Sequence, residues 1–203
     1  MKVLIIAGGD FLPPNELTND CYVICADSGY DRALEHGISV NMLVGDMDSV
    51  KSDYKSIQNI LVYPSRKDFT DTEIAVEQAV SMGAGEVILT GCIGSRIDHS
   101  LANIMLLKTI SAKGIKASIL YDDNYIYFYE NYIRLDNMKG KTVSLIPISQ
   151  SIDNIYTEGL DYSLSGESLF FGETRGVSNI IVGNEASYKS DNGFGVVVVT
   201  DGK

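Results

Sequence analysis

The sequence has few cysteines, no long apolar run and no excess of basic charge. Cys21, Cys25 and Cys92 are an odd number, and no C-x-x-C pair occurs among them. That speaks against a disulfide framework and against a thiolate zinc site. Reduced thiols in a cytoplasmic protein are the expectation. No apolar stretch approaches the roughly 20 residues that a membrane helix needs. The apolar run over residues 1–7 is too short for a secretory leader, and Gly8-Gly9-Asp10 ends it without a cleavage pattern. Lysine and arginine total 16 against 27 aspartates and glutamates, a net charge of −11. Nucleic acid and anionic membranes both want basic patches, so neither is expected as a partner. The sign suits a cationic or metal-bridged ligand, although acidity also serves solubility alone. Two phosphate-binding signatures are missing as well. There is no G-x-G-x-x-G dinucleotide fingerprint and no G-x-x-x-x-G-K-[ST] P-loop. Internal repeats and low-complexity segments are absent too.

What is there reads in two parts. A chain of 203 residues, 45% of them apolar, can build one large domain or two small ones. Continuous apolar, β-branched runs at residues 2–7, 22–26, 42–45, 60–63, 86–90 and 116–121 predict strands buried on both faces. Residues 11–20, with Pro13-Pro14, read as a loop. Helices are expected over 30–36, closed by Gly37, and after Thr70-x-x-Glu73, which has the form of a capping box. A longer helix over 98–112 is apolar on most sides and is expected to be largely buried. Strand, turn and helix alternate to about Asp122, which predicts a doubly wound, mostly parallel α/β sheet. Beyond it no helix is expected. Short strands at 126–133, 142–147, 152–157, 176–182, 186–190 and 194–200 predict a small all-β antiparallel sandwich or barrel. The expected domains are 1–123 and 124–203.

The chemistry gathers around Val44-Gly45-Asp46-Met47-Asp48-Ser49. In extended chain, residues i and i+2 point the same way, so Asp46 and Asp48 would present two carboxylates to one place. Like charges that close need a cation or a donor between them. Magnesium takes oxygen ligands of this kind, often together with substrate phosphates. Two further clusters, Lys67-Asp68-Phe69-Thr70-Asp71-Thr72-Glu73 and Gly94-Ser95-Arg96-Ile97-Asp98-His99, each follow a strand and open a helix. Ligands of open α/β sheets bind outside the carboxyl ends of the strands. Gly8-Gly9, Asp27-Ser28-Gly29 and the three acidic clusters are all expected along that one edge. Asp46, Asp48 and Asp71 would offer oxygens to magnesium, and Lys67 and Arg96 positive charge to phosphate. Each piece also has a plain reading. D-x-D is commonly a solvated turn, Asp71 and Asp98 suit helix N-termini, and His99 reads equally as an ordinary satisfied histidine that is no catalyst.

The order of the motifs resembles the thiamine pyrophosphokinase family, also called thiamine diphosphokinase. The matching pieces are Ala26-Asp27-Ser28-Gly29, the D-x-D stretch, residues 67–73, and residues 94–99 running on to Asn103. Residues 157–164 and Gly176-Val177-Ser178-Asn179 follow, so the resemblance covers nearly the whole chain. It implies an N-terminal α/β domain followed by a β domain. It also implies transfer of a pyrophosphoryl group from ATP to the hydroxyl of thiamine, with magnesium, in a homodimer whose sites lie at the interface. On that resemblance Asp46, Asp48, Asp71, Lys67, Arg96 and Asp98 are catalytic, the first three through the metal. Asp27, Ser28, Asp68, Thr70, Gly94, Ser95 and His99 would bind ATP, and Asn103, Tyr162, Ser178 and Asn179 thiamine. Some members carry tryptophan in the segment 159–164; Tyr162 keeps an aromatic there to stack on the thiamine cation. Two other readings stay open. D-x-D also opens the haloacid-dehalogenase-like phosphatases, with the first Asp, here Asp46, as nucleophile. Those chains want threonine where Val50 stands and place the motif on the first strand, not the third. A nucleotide-sensing module without turnover is the remaining one.

Overall fold

The computed structural model describes residues 1–10 and 20–201. The loop expected over 11–20 lies outside the described residues except for Asp20, a turn. Contacts divide the chain into Met1–Asp122 and Asp123–Lys203.

The first unit carries six strands: β1 (Lys2–Ile6), β2 (Tyr22–Ala26), β3 (Met42–Gly45), β4 (Asn59–Val62), β5 (Glu86–Thr90) and β6 (Lys116–Tyr121). They lie in the order β6-β5-β1-β2-β3-β4, and every pair among them is parallel. Val3, Leu4, Ile5 and Ile6 of β1 are all fully buried, so both faces of the sheet are covered there. The strand order reverses at β1, where β2 and β5 flank it on either side. Three helices stand between strands: α1 (Gly29–Glu35), α2 (Asp71–Ser81) and α3 (Ile97–Ser111). The capping box at α2 forms, with Thr70 Oγ1 accepting from the Glu73 N–H at 3.2 Å. Gly83 follows that helix at φ 74°, a conformation that suits glycine after a helix end.

α3 corrects one expectation. Only Ser100, Asn103, Leu107 and Ile110 are buried. Ile97, Leu101 and Met105 are 66, 55 and 43% exposed, and their spacing of four puts them on one face. The helix packs its other face against α2 and β6. Apolar composition on most sides therefore did not mean burial on all of them.

The second unit has β7 (Asn124–Asp136), β8 (Thr142–Pro147), β9 (Ser151–Glu158), β10 (Ser165–Phe170), β11 (Asn179–Ile180) and β12 (Glu185–Thr200). All its pairings are antiparallel, and no helix occurs among its described residues. β12 is the spine. β7 runs along it, β9 pairs with its first half and β8 with its second. Tyr129, Val143, Leu145, Ile152, Ile155 and Val197 form the centre of the core. The Tyr129 hydroxyl and Ser190 Oγ pair inside it at 2.8 Å.

Two strand expectations are corrected here. The strands expected at 186–190 and 194–200 are one strand of 16 residues. Asp191-Asn192-Gly193 reads as a turn, but the chain absorbs it as a register shift between Lys189 and Phe194. The strand expected at 176–182 reduces to Asn179–Ile180 and a single bridge from Leu160 to Ile181. Ser178 takes φ 64°, which no extended run accommodates. β10 was not anticipated; its sequence SGESLF is mostly polar and lacks the β-branched pattern.

Candidate functional site

The carboxyl ends of the parallel strands open into a cleft of about 820 Å³. Gly8 and Gly9 after β1 and Gly91 to Arg96 after β5 line it, at the point where strand order reverses. Open α/β sheets bind ligands at that position. Asp27, Ser28, Asp46, Lys67, Thr70 and Asp71 form another part of its wall.

Asp46 and Asp48 do converge, though not through extended chain. Met47 between them takes φ 66°, and the Asp48 N–H donates to Asp46 Oδ1 at 3.2 Å, a local turn. Ser49 Oγ donates to Asp48 Oδ1 at 3.0 Å. Asp27, also at positive φ (49°), brings a third carboxylate. One ligand oxygen from each of Asp27, Asp46 and Asp48 lies within 4.8 Å of the others. Left-handed backbone at a non-glycine residue is costly and persists where surrounding structure enforces it.

Asp71 is the first residue of α2 and stands outside that triplet. Its Oδ1 lies 3.1 Å from Lys67 Nζ, which is also 3.7 Å from Asp46 Oδ2 and donates to the Pro64 carbonyl at 3.3 Å. The Lys67 side chain is only 12% exposed. Asp27 Oδ1 and Asp71 Oδ1 are buried and accept no hydrogen bond. Burial pushes the Asp27 carboxyl up from its ordinary range; bonds from Ser49 and Ser28 hold it down in part, and the charges of Asp71 and Asp46 raise it further. The Asp48 N–H, with Lys67 adding to it, holds the Asp46 carboxyl low.

At the mouth of α3, Arg96 grips Asp98 through two bonds, Nε to Oδ1 at 3.0 Å and Nη2 to Oδ2 at 2.6 Å. That pairing holds the Asp98 carboxyl well below the usual carboxylate range. Gly94, Ser95, Arg96, His99 and Asn103 line the cleft. Of the residues expected at this site, Asp48, Asp68 and Asp98 are not among those that line the cleft, and all three are exposed. Asn103 is buried and donates its amide to the Cys92 carbonyl at 2.7 Å, so it braces the loop after β5. Ser100, absent from the sequence expectations, accepts from the Gly94 N–H at 3.1 Å and donates to the Arg96 carbonyl at 3.0 Å. Arg32 and Ser65 also line the cleft; they carry no motif, and only their place in space marks them.

The second unit has its own pocket, of about 340 Å³. Tyr162, Leu164, Arg175, Ser178, Asn179 and Tyr188 are among the residues lining it. Asn179 fastens Tyr162: its Oδ1 accepts from the Tyr162 N–H at 3.0 Å and its Nδ2 donates to the Tyr162 carbonyl at 2.7 Å. Tyr162 is left 74% exposed. The expected thiamine residues thus divide, Tyr162, Ser178 and Asn179 lining this pocket and Asn103 the cleft.

Residues 14–119 match the family model for the thiamin pyrophosphokinase catalytic domain, and residues 130–194 that for the thiamin pyrophosphokinase vitamin B1 binding domain. The chain belongs to the thiamin pyrophosphokinase family. Thiamine pyrophosphokinase of Bacillus subtilis (strain 168) is 28% identical over 211 residues, covering 98% of both chains. Thiamine pyrophosphokinase 2 of Oryza sativa subsp. japonica is 25% identical over 207 residues, 94% of this chain and 75% of that one. The fold agrees with the solved thiamine pyrophosphokinase of B. subtilis (TM-score 0.89, 22% identity, all of both chains). It agrees also with that of Geobacillus thermodenitrificans (TM-score 0.85, 24% identity, 100% of this chain and 99% of that one). In this thiamin pyrophosphokinase family member, the catalytic-domain match contains the carboxylates and Lys67, and the other match contains the second pocket. Family membership makes the chain a diphosphotransferase. The carboxylate triplet suits a hard divalent cation: its donors are all oxygen, they converge, and Asp27 leaves a buried oxygen unpartnered.

Proposed function

We propose that this chain is a thiamine pyrophosphokinase that moves the pyrophosphoryl group of ATP to the hydroxyl of thiamine, releasing thiamine diphosphate and AMP. The observation that carries the reading is the cleft itself. Its wall combines Asp27, Asp46 and Asp71, with Asp48 beside the first two, a shielded lysine and glycine turns, in a chain matched by both family models. Asp27, Asp46 and Asp48 are proposed to hold magnesium, with Asp71 beside them across Lys67. A magnesium ion bound there would neutralise charge on the triphosphate.

The remaining roles belong to the protein's own groups. Lys67 and Arg96 donate to phosphate oxygens, and the free N–H groups at the start of α2, with Thr70, add to them. Ser28, Gly94, Ser95 and His99 line the ATP side, Asp68 is read as belonging to that side because its neighbours Lys67 and Phe69 line the cleft, and Asp98 orients Arg96. Phosphoryl chemistry of this kind asks mainly for positioning and charge stabilisation. The thiamine hydroxyl attacks the β-phosphorus in line and AMP leaves; Asp71 or Asp98 helps orient the hydroxyl. Tyr162 stacks on the thiamine cation, Ser178 hydrogen-bonds it and Asn179 holds the tyrosine in place; Asn103, assigned to thiamine by the family resemblance, braces the loop after β5.

The wider reading assigns 1–123 to nucleotide and metal binding, and 124–203 to thiamine binding and dimerisation. The first unit is read as doubly wound, supported by the burial of β1 on both faces. The second is read as an antiparallel sandwich or barrel, supported by its pairings. A homodimer with its sites at the interface is supported by the exposed apolar face of α3. A cytoplasmic setting is supported by three thiols without a disulfide, two of them buried. No observation favours the phosphatase or the sensing module. Measuring AMP formed from ATP and magnesium, with and without thiamine, tests the assignment: AMP that requires thiamine supports it, and ADP or free phosphate formed regardless of thiamine contradicts it.

A further inference from the structure

Asp31 lies in none of the motifs, yet it holds the loop that follows Asp48. Its Oδ2 accepts from the Lys51 N–H and its Oδ1 from the Ser52 N–H, each at 2.9 Å. Both donors belong to the segment 46–58 between β3 and β4, which is turn and bend with no helix or strand among its described residues. Tyr30, one residue earlier, adds a second tether: its ring is buried and its hydroxyl donates to the Asp53 carbonyl at 3.2 Å. Two charge-assisted bonds from one carboxylate fix orientation as well as distance. The helix that carries both residues, α1, starts two residues after Asp27. One short helix therefore joins the two loops that supply the carboxylate triplet, Asp27 from its own start and Asp46 with Asp48 from the loop it grips.

We infer that Asp31 is a positioning residue for the cation site, setting the spacing between Asp27 and the Asp46–Asp48 pair. This rests on the magnesium-dependent reading of the cleft. Cation affinity depends on ligand atoms being held at the correct separation, and outer groups that orient ligands typically govern it by about 10- to 100-fold. The segment has other anchors, the buried Met47, the Ser49 bond to Asp27 and the Tyr30 hydroxyl on Asp53, but the Asp31 carboxylate is the group that binds two successive N–H groups of the loop after Asp48 and so sets its orientation. Burial disfavours the ionised Asp31, but the bonds from Ser52 and Lys51 outweigh it and hold the carboxyl below its ordinary range. The charged, accepting form is thus the one present near neutrality.

The test is manganese binding to the full chain without nucleotide, followed by electron paramagnetic resonance, in wild type, Asp31→Asn, Tyr30→Phe and Asp46→Asn. Circular dichroism and melting curves establish that each variant is folded. Asp31→Asn keeps the shape but turns an amide NH₂ toward a backbone N–H. The expected result is manganese binding weakened by roughly 10-fold or more, with the rate of AMP formation recovered by raising magnesium, a recovery Asp46→Asn does not show. A folded Asp31→Asn that binds manganese like wild type overturns the inference, even if it melts earlier. Should Asp31→Asn fail to fold, Tyr30→Phe decides: weaker manganese binding supports the tether, and unchanged binding overturns it. Wild-type protein that binds no manganese overturns both the inference and the cation site. Wild-type protein that binds manganese yet makes no AMP overturns the reaction, and the manganese comparison still decides on Asp31.

Discussion

Lys67 stands between Asp46 and Asp71 with its side chain mostly shielded from solvent, so it balances two carboxylates before any ligand arrives. If it also binds the triphosphate, Lys67→Met raises KM for ATP by roughly 10-fold or more, since a hydrogen bond to a charged group is worth about 1.5–3 kcal/mol. Manganese binding without nucleotide is expected to stay at least as tight in that variant, because a competing cation has gone. Steady-state kinetics and a metal titration read the two effects separately; a weakened metal site with unchanged KM contradicts the assignment. Asp48→Asn is expected to remove magnesium-dependent activity while leaving the melting temperature nearly unchanged, since Asp48 is exposed. Near-normal turnover in that variant excludes it as an essential ligand. Asp31 supplies a pH dependence. Its folded carboxyl lies below the ordinary value near 4, so its contribution to stability is present above that value and is lost as pH falls through the folded one. The gap in melting temperature between wild type and Asp31→Asn is therefore expected to be full at pH 7 and to narrow on acidification below pH 4. A gap independent of pH contradicts it.

Among the elements, α2 and β12 show what patterning conveys and what it omits. Thr70 and Glu73 mark the start of α2, and the structure forms that cap. Thr70→Ala is expected to lower stability by about 1 kcal/mol, read as a shift in urea midpoint; no shift means the cap is idle. The parallel strands were legible because continuous apolar runs of five or six residues have few other uses. Asp191-Asn192-Gly193 looks like a turn because those residues make turns when nothing else pairs with them. Here Asp153 and Glu130 pair on either side of the irregularity, and Gly193 at φ 86° lets the strand continue. A Cβ at Gly193 would meet the Ser151 carbonyl oxygen at 2.2 Å, so Gly193→Ala is disfavoured by contact and by φ together. The site was legible through Asp46, Asp48 and Lys67, whose residue types advertise chemistry. Asp31, Ser100 and the left-handed Met47 were not, because each acts through backbone groups that a linear sequence does not bring together.

For the whole molecule, the acidic charge and the exposed face of Ile97, Leu101 and Met105 frame the assembly. Three large apolar side chains on one helix face call for a partner surface. Sedimentation is expected to show a dimer at micromolar concentration, and Leu101→Glu to shift it toward monomer with loss of activity. A fully active monomer contradicts that arrangement. The central claim concerns which bond of ATP breaks, and β-phosphorus-labelled ATP tests it most directly. Incubated with magnesium, thiamine and this protein, the label is expected to appear in thiamine diphosphate, with unlabelled AMP left behind. Label retained in ADP, or ATP breakdown indifferent to thiamine, would contradict the account.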